Sequence, residues 1–181
     1  VLGMCAISVT YTLFYSLGTW SLAYGVKSLG FTQSQYLSME LFAVLFFAAF
    51  IVVGCLSADR FGRKRTLYTA TAAMLVFSLV CTQNFAGVLA FLCVGFSIMG
   101  ALFGPCGAYL PELFPAKVRY SGSGLAYNLA AVTGGAFAPT IATALVTSFG
   151  IQALGWYLGI MAVIALVALY FIKESKDVDY E

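Results

Sequence analysis

The sequence predicts an all-α integral membrane protein with six spanning helices, on three observations. Hydrophobic residues make up 62% of the chain and charged residues 9%, against about 25% charged in soluble domains. Apolar stretches recur at roughly the 20 residues that a helix needs to cross the hydrocarbon core. The few charges gather in the short connections between those stretches. The stretches lie at about 2–25, 37–57, 66–83, 88–110, 121–147 and 150–172. They make one bundle over 1–172, followed by a tail over 173–181.

The first stretch begins where a signal peptide would, but it has no basic flank before it and is rich in Tyr, Thr and Ser, so it reads as a true span. The opening "VLGMC" has no initiation context other than Met4, which points to a piece of a longer polypeptide. Within this span Ser8, Thr12, Tyr15 and Thr19 recur at steps of four, three and four, with Tyr11 and Trp20 alongside, and so share one side of a helix. That side faces a partner helix or a wet cavity, because lipid offers hydroxyls nothing. The second span carries Glu40 about one turn from its outer end. An ionisable group inside a span is costly and usually functional, and proton coupling is one role. A carboxylate in a helix's first turn also sits in favourable dipole potential, which is the other.

The third span follows directly on a basic run. The fourth repeats small residues at Cys93, Ser97, Gly100, Gly104 and Gly107, a stripe that lets helices approach closely. Pro105 is expected to weaken its hydrogen-bond ladder and allow a bend. The fifth contains Gly122, Gly124, Gly134, Gly135 and Pro139, together with Asn128, whose amide must find either substrate or a neighbouring helix.

Orientation follows from Lys and Arg, which concentrate in cytoplasmic loops. Arg60, Arg63, Lys64 and Arg65 put the 58–65 loop inside; Lys117 and Arg119 put 111–120 there, and Lys173 and Lys176 the tail. The loops at 84–87 and 147–151 carry no charge, and 26–36 carries only Lys27. Both termini are then cytoplasmic. The chain has no His, which excludes hydrolytic triads built on it. Its cysteines, Cys5, Cys55, Cys81, Cys93 and Cys106, show no paired spacing, so neither a metal site nor a disulfide framework is expected. No enzyme, no cofactor and no nucleic-acid partner is implied.

The 58–65 run holds five of the sixteen charged residues. "GCLSADRFGRKR", Gly54 to Arg65, resembles the loop signature of the major facilitator superfamily: a Gly, an Asp-Arg pair, then Gly-Arg-Arg/Lys. It departs in having four residues between Gly54 and Asp59 where the usual pattern has three. "GAYLPELFPAKVRYSGSGLAYNLAAVTGGAFAPTIATAL", residues 107–145, is similar to the tenth-to-eleventh helix region of the metabolite:proton symporters, transporters of 2-oxoglutarate, citrate, shikimate, and proline or betaine. Sugar porters usually carry Pro-Glu-Thr after the last helix, which "FIKESKDVDYE" lacks.

The resemblance implies helices 7–12, one half of a twelve-helix fold, with the N-terminal six-helix half as the missing partner. It implies a small-molecule substrate, an organic acid, moved with a proton by alternating access across a bacterial inner membrane, in contact with the lipid bilayer. It implies a gating set of Gly54, Asp59, Arg60, Gly62, Arg63, Lys64, Glu112 and Arg119. Asp59 would latch the cytoplasmic side against a neighbouring helix N-terminus, and Glu112 would pair with Arg60 or Arg63, or locally with Arg119. Because the family's seventh helix lines the pathway, Ser8, Tyr11, Thr12, Tyr15, Thr19 and Trp20 become pathway candidates, with Ser97 and Asn128. Glu40 is the proton-coupling candidate in this half. A sugar or osmolyte porter of the same superfamily, or a non-transporting membrane partner protein or fragment, stays open beside this reading.

Overall fold

In hydrocarbon there is no water to pair with backbone amides, so an apolar chain must close its hydrogen bonds within each segment. The computed structural model describes residues 2–80 and 87–172, and all regular structure among them is helical. Cys81, residues 84–86 of the third connection and the tail with Lys173 and Lys176 lie outside the described residues. The helices are α1 (Leu2–Tyr15), α2 (Ser21–Ser28), α3 (Gln33–Phe61), α4 (Arg63–Val80), α5 (Val88–Glu112), α6 (Arg119–Ala131), α7 (Ala138–Phe149) and α8 (Gln152–Phe171). A π turn, Ser16–Trp20, joins α1 to α2, and another, Val132–Ala136, runs into the α6–α7 pair. The result is six rods, α1–α2, α3, α4, α5, α6–α7 and α8. By length and composition α3, α5, the 119–149 rod and α8 can each cross a membrane.

Capping, not hydropathy, sets the ends of α3. Thr32 accepts from the Gln35 amide at 3.3 Å while the Gln35 side chain accepts from the Thr32 amide at 3.1 Å. This reciprocal box starts α3 well before its apolar stretch. At the other end Gly62, at φ 99°, donates its amide to the Ala58 carbonyl and lets the chain reverse in one residue. Arg63 already opens α4, so the expected loop over 58–65 is helical except at Gly62. α5 remains helical through Pro105 and Pro111.

α3 lies mainly along α5; α4 packs on α8 and α5; α1 packs on α8, α6 and the second π turn. α1, α5 and α8 therefore form the centre, with Val9, Leu13, Leu17, Leu92, Leu154 and Leu158 fully buried. Large apolar side chains also cover the outside. Leu41, Leu45, Val52 and Leu56 of α3 are 58–72% exposed and fall on one stripe, an apolar face suited to lipid or to further helices of a longer chain.

Where lipid and protein interior are equally apolar, helices associate through close packing. Gly100 and Gly104 form a GxxxG step on α5, and a Cβ at either would lie 2.5 Å from the Phe47 carbonyl oxygen or 2.6 Å from that of Ile51. A Cβ on Gly54 would lie 2.9 Å from the Ala101 oxygen, the acceptor that Pro105 leaves without its usual intrahelical donor. Gly107 and Gly124 meet nothing within 4 Å. Gly100→Ala and Gly104→Ala in the full-length protein are therefore expected to cost about 1–3 kcal/mol through overpacking, read as a lowered melting temperature in detergent. Gly107→Ala and Gly124→Ala should leave it unchanged or raised, and equal losses at all four positions would refute the seam.

Candidate functional site

The two π turns lie near the middle of the first and fifth rods, and the second of them, Val132–Ala136, crosses α1 along residues 8–15, just before the first begins. Thr12 Oγ1 donates to the Gly134 carbonyl at 2.6 Å and shares that proton with the Ser8 carbonyl at 3.1 Å. Gly134 is what permits the crossing, since a Cβ there would overlap the Ser8 backbone. A Cβ on Gly135 would come within 2.6 Å of the Tyr15 ring. Ser16, the first residue of its π turn, is 2% exposed, and its hydroxyl has no hydrogen-bond partner among the described residues. π turns interrupt the i to i−4 ladder and recur at functional sites.

The predicted pathway residues divide at this crossing. Ser8 and Thr12 turn into the bundle, with Ser8 Oγ donating to the Cys5 carbonyl at 2.9 Å. Tyr11 and Tyr15 are half-buried. Thr19, beyond the start of the π turn, is exposed, and Trp20 is buried and stacked on Tyr24 at 5.1 Å. A π turn takes more residues per turn than an α-helix, so the spacing that aligns Ser8 to Tyr15 does not carry through to Thr19. Ser97 is half-buried and donates to the Cys93 carbonyl at 2.7 Å. Asn128 is exposed and donates to the Gly124 carbonyl of its own helix at 2.8 Å. Glu40 is half-buried against the first π turn, with Oε1 3.3 Å from where a Cβ on Gly18 would stand.

The gating candidates cluster at one end of the bundle. Arg63, in the first turn of α4, forms an ion pair with Glu112, the last residue of α5. Lys64 Nζ donates to the carbonyls of Tyr170 and Ile172 at the C-terminal end of α8, where a cation meets the negative end of the helix dipole. Two successive basic residues thus tie the start of α4 to two other rods. Arg60 lies over the Phe61 ring, 5.3 Å from its centroid. Asp59 is exposed, with no hydrogen bond or ion pair among the described residues. Arg119 Nε donates to the Phe114 carbonyl at 3.4 Å. Gly54 stands about two turns away in the α3–α5 seam. Among the described residues no group of three His, Cys, Asp or Glu could hold a metal ion.

Sequence reasoning missed Lys64 as a helix cap and Ser16 as a buried hydroxyl. Both depend on where another rod, or a break, falls in space. The adjacent glycines at 134 and 135 were the one local sign of the crossing.

An apolar helical bundle whose two interrupted rods cross near their middles, with a charged tie at one end, has the build of a secondary transporter. The chain belongs to the Major Facilitator Superfamily, whose profile matches residues 1–180, and is non-enzymatic. It is 39% identical to the inner membrane metabolite transport protein YhjE of Escherichia coli K12, over 97% of this chain and 42% of that protein. It is 36% identical to a putative metabolite transport protein of Haemophilus influenzae, over 99% and 44%. It is 31% identical to the citrate-proton symporter of Klebsiella pneumoniae, over 98% and 42%. The chain spans rather less than half the length of these curated relatives.

The Arg63–Glu112 pair is partly exposed, so a double-mutant cycle with Arg63→Gln and Glu112→Gln should give a coupling of up to about 1 kcal/mol. Chemical unfolding of the full-length protein in micelles measures it, and strictly additive losses would show that the pair contributes nothing.

Proposed function

We propose that this chain forms the helix 7–12 half of a proton-coupled symporter for a small organic acid, working by alternating access. The crossing of the two π-broken rods at Thr12 and Gly134 is the observation that carries this reading. Interrupted helices give a transporter backbone that can change its pairing near the middle of the membrane, where substrate sites lie between repeats. Tyr11 and Tyr15, against Gly135 at that crossing, and Asn128, nearly two turns before Gly134 on the fifth rod, are none of them fully buried and would form this half's wall of the site. The N-terminal half would supply the other wall and the principal proton-carrying acids.

All six rods cross the bilayer in this reading, with the Arg63–Lys64 end and both termini in the cytoplasm. The ties from Arg63 to Glu112 and from Lys64 to the end of α8 hold the cytoplasmic ends of three rods as one body. Asp59, free of such ties among the described residues, is available to meet the other half when that side closes. Glu40 beside the first π turn would bind the proton that couples to rearrangement of that turn. A citrate-proton symporter among the relatives supports both the acid and the proton.

The full-length protein in vesicles, acidic outside, should accumulate labelled citrate or a related carboxylate against its gradient. Glu40→Gln should lose gradient-driven accumulation while retaining counterflow exchange, and Asp59→Asn should slow both. A folded full-length protein that shows no gradient-driven uptake of any carboxylate would overturn the symporter reading.

A further inference from the structure

An open groove of about 510 Å³ runs between α3, α4 and α5 at the basic end of the bundle. Its deeper walls are Phe50, Val53, Ala70 and Ala101. Toward the mouth α3 contributes Ser57 and then Phe61, and the antiparallel α4 contributes Arg65. Thr66 and Thr69 also line it, but their hydroxyl protons go to the Gly62 and Thr66 carbonyls of their own helix. Arg65 is exposed and Ser57 half-buried, and neither makes a hydrogen bond or ion pair among the described residues. Arg63 and Lys64 are held by Glu112 and the end of α8, which leaves Arg65 as the basic residue of the 63–65 run turned to the groove. Arg60, over the outer ring Phe61, adds positive potential at the same mouth. The α3 wall runs beside the exposed stripe of Leu41, Leu45, Val52 and Leu56.

An apolar trough closed at its aqueous end by an unpaired guanidinium and a hydroxyl matches one ligand chemistry. We propose that this groove binds an anionic phospholipid, with an acyl chain along Phe50, Val53 and Ala101 and the headgroup phosphate on Arg65 and Ser57. The charge and the apolar length both enter the match. A free phosphate would use only the mouth, and a neutral lipid only the walls. Guanidinium suits the phosphate because its planar fork makes paired hydrogen bonds, and basic pockets between helices on the cytoplasmic side take anionic headgroups. The site needs no transport step, so it can be tested whether or not the symporter reading holds.

The full-length protein carrying Val53→Trp as its only tryptophan is placed in nanodiscs, and quenching by brominated phosphatidylglycerol is compared with quenching by brominated phosphatidylcholine. Phosphatidylglycerol should quench about fivefold more effectively, the preference conferred by one basic residue near an anionic headgroup. Arg65→Gln should bring the two lipids to near parity, while Arg65→Lys should retain most of the preference and guard against a folding loss. Parity in the Arg65 protein, or a preference that survives Arg65→Gln, would overturn the proposal. So would an absence of quenching by either lipid, meaning that protein fills the groove, or loss of the preference on adding inorganic phosphate, meaning a free-anion site.

Discussion

Within the spans every backbone amide and carbonyl has to find a partner without help from water, and the architecture follows from how backbone groups are partnered where a helix is interrupted. At Gly62 the chain reverses in a single residue, with the amide on Ala58 and the carbonyl receiving both the Thr66 amide and its hydroxyl. At Gly134 the carbonyl within the second π turn takes its proton from Thr12 on another rod. At Ala101 the acceptor left by Pro105 is covered by the bare backbone of Gly54. Each interruption lies against a small residue or a hydroxyl that closes it, so the breaks join the rods as well as divide them.

Side-chain hydroxyls obey the same rule. Thr71, Ser97, Thr133 and Thr143 all donate to carbonyls one turn back on their own helices, as the Asn128 amide does, a pattern that satisfies the donor without a neighbour. A hydroxyl face in such a sequence therefore has three meanings. Thr12 serves a crossing, Ser8 its own helix, and Ser16 remains buried without a partner among the described residues. Only the third condition leaves a polar group available for further chemistry.

The charged end shows how a short motif divides its work. Gly62 makes the reversal, Arg63 reaches α5, Lys64 reaches α8, and Arg65 turns to the groove. Consecutive residues of a helix point about 100° apart, so three adjacent basic side chains at the start of α4 can address three different neighbours. A run of charge that reads as one topological anchor is, in space, a set of separate contacts.

The sequence by itself determined the helical membrane class, because apolar length and charge placement are local and additive along the chain. It also made the family legible, through the Asp59 to Lys64 core and the 107–145 stretch, and it marked the Gly100 and Gly104 approach face, because small residues at helical spacing have few other uses in lipid. It left open whether Glu112 would choose Arg60, Arg63 or Arg119, and it could not show that Lys64 would cap α8, since those partners are far apart in sequence. The hydroxyl face of the first span was legible only as far as Tyr15. Beyond that the π turn changes the phase, and a π turn is stabilised by what packs on it and carries no periodic signal of its own. Tertiary structure alone decided that the two interrupted rods cross each other, because close approach depends on the missing side chain at Gly134 meeting the Ser8 backbone, a fit between surfaces that no single helix contains.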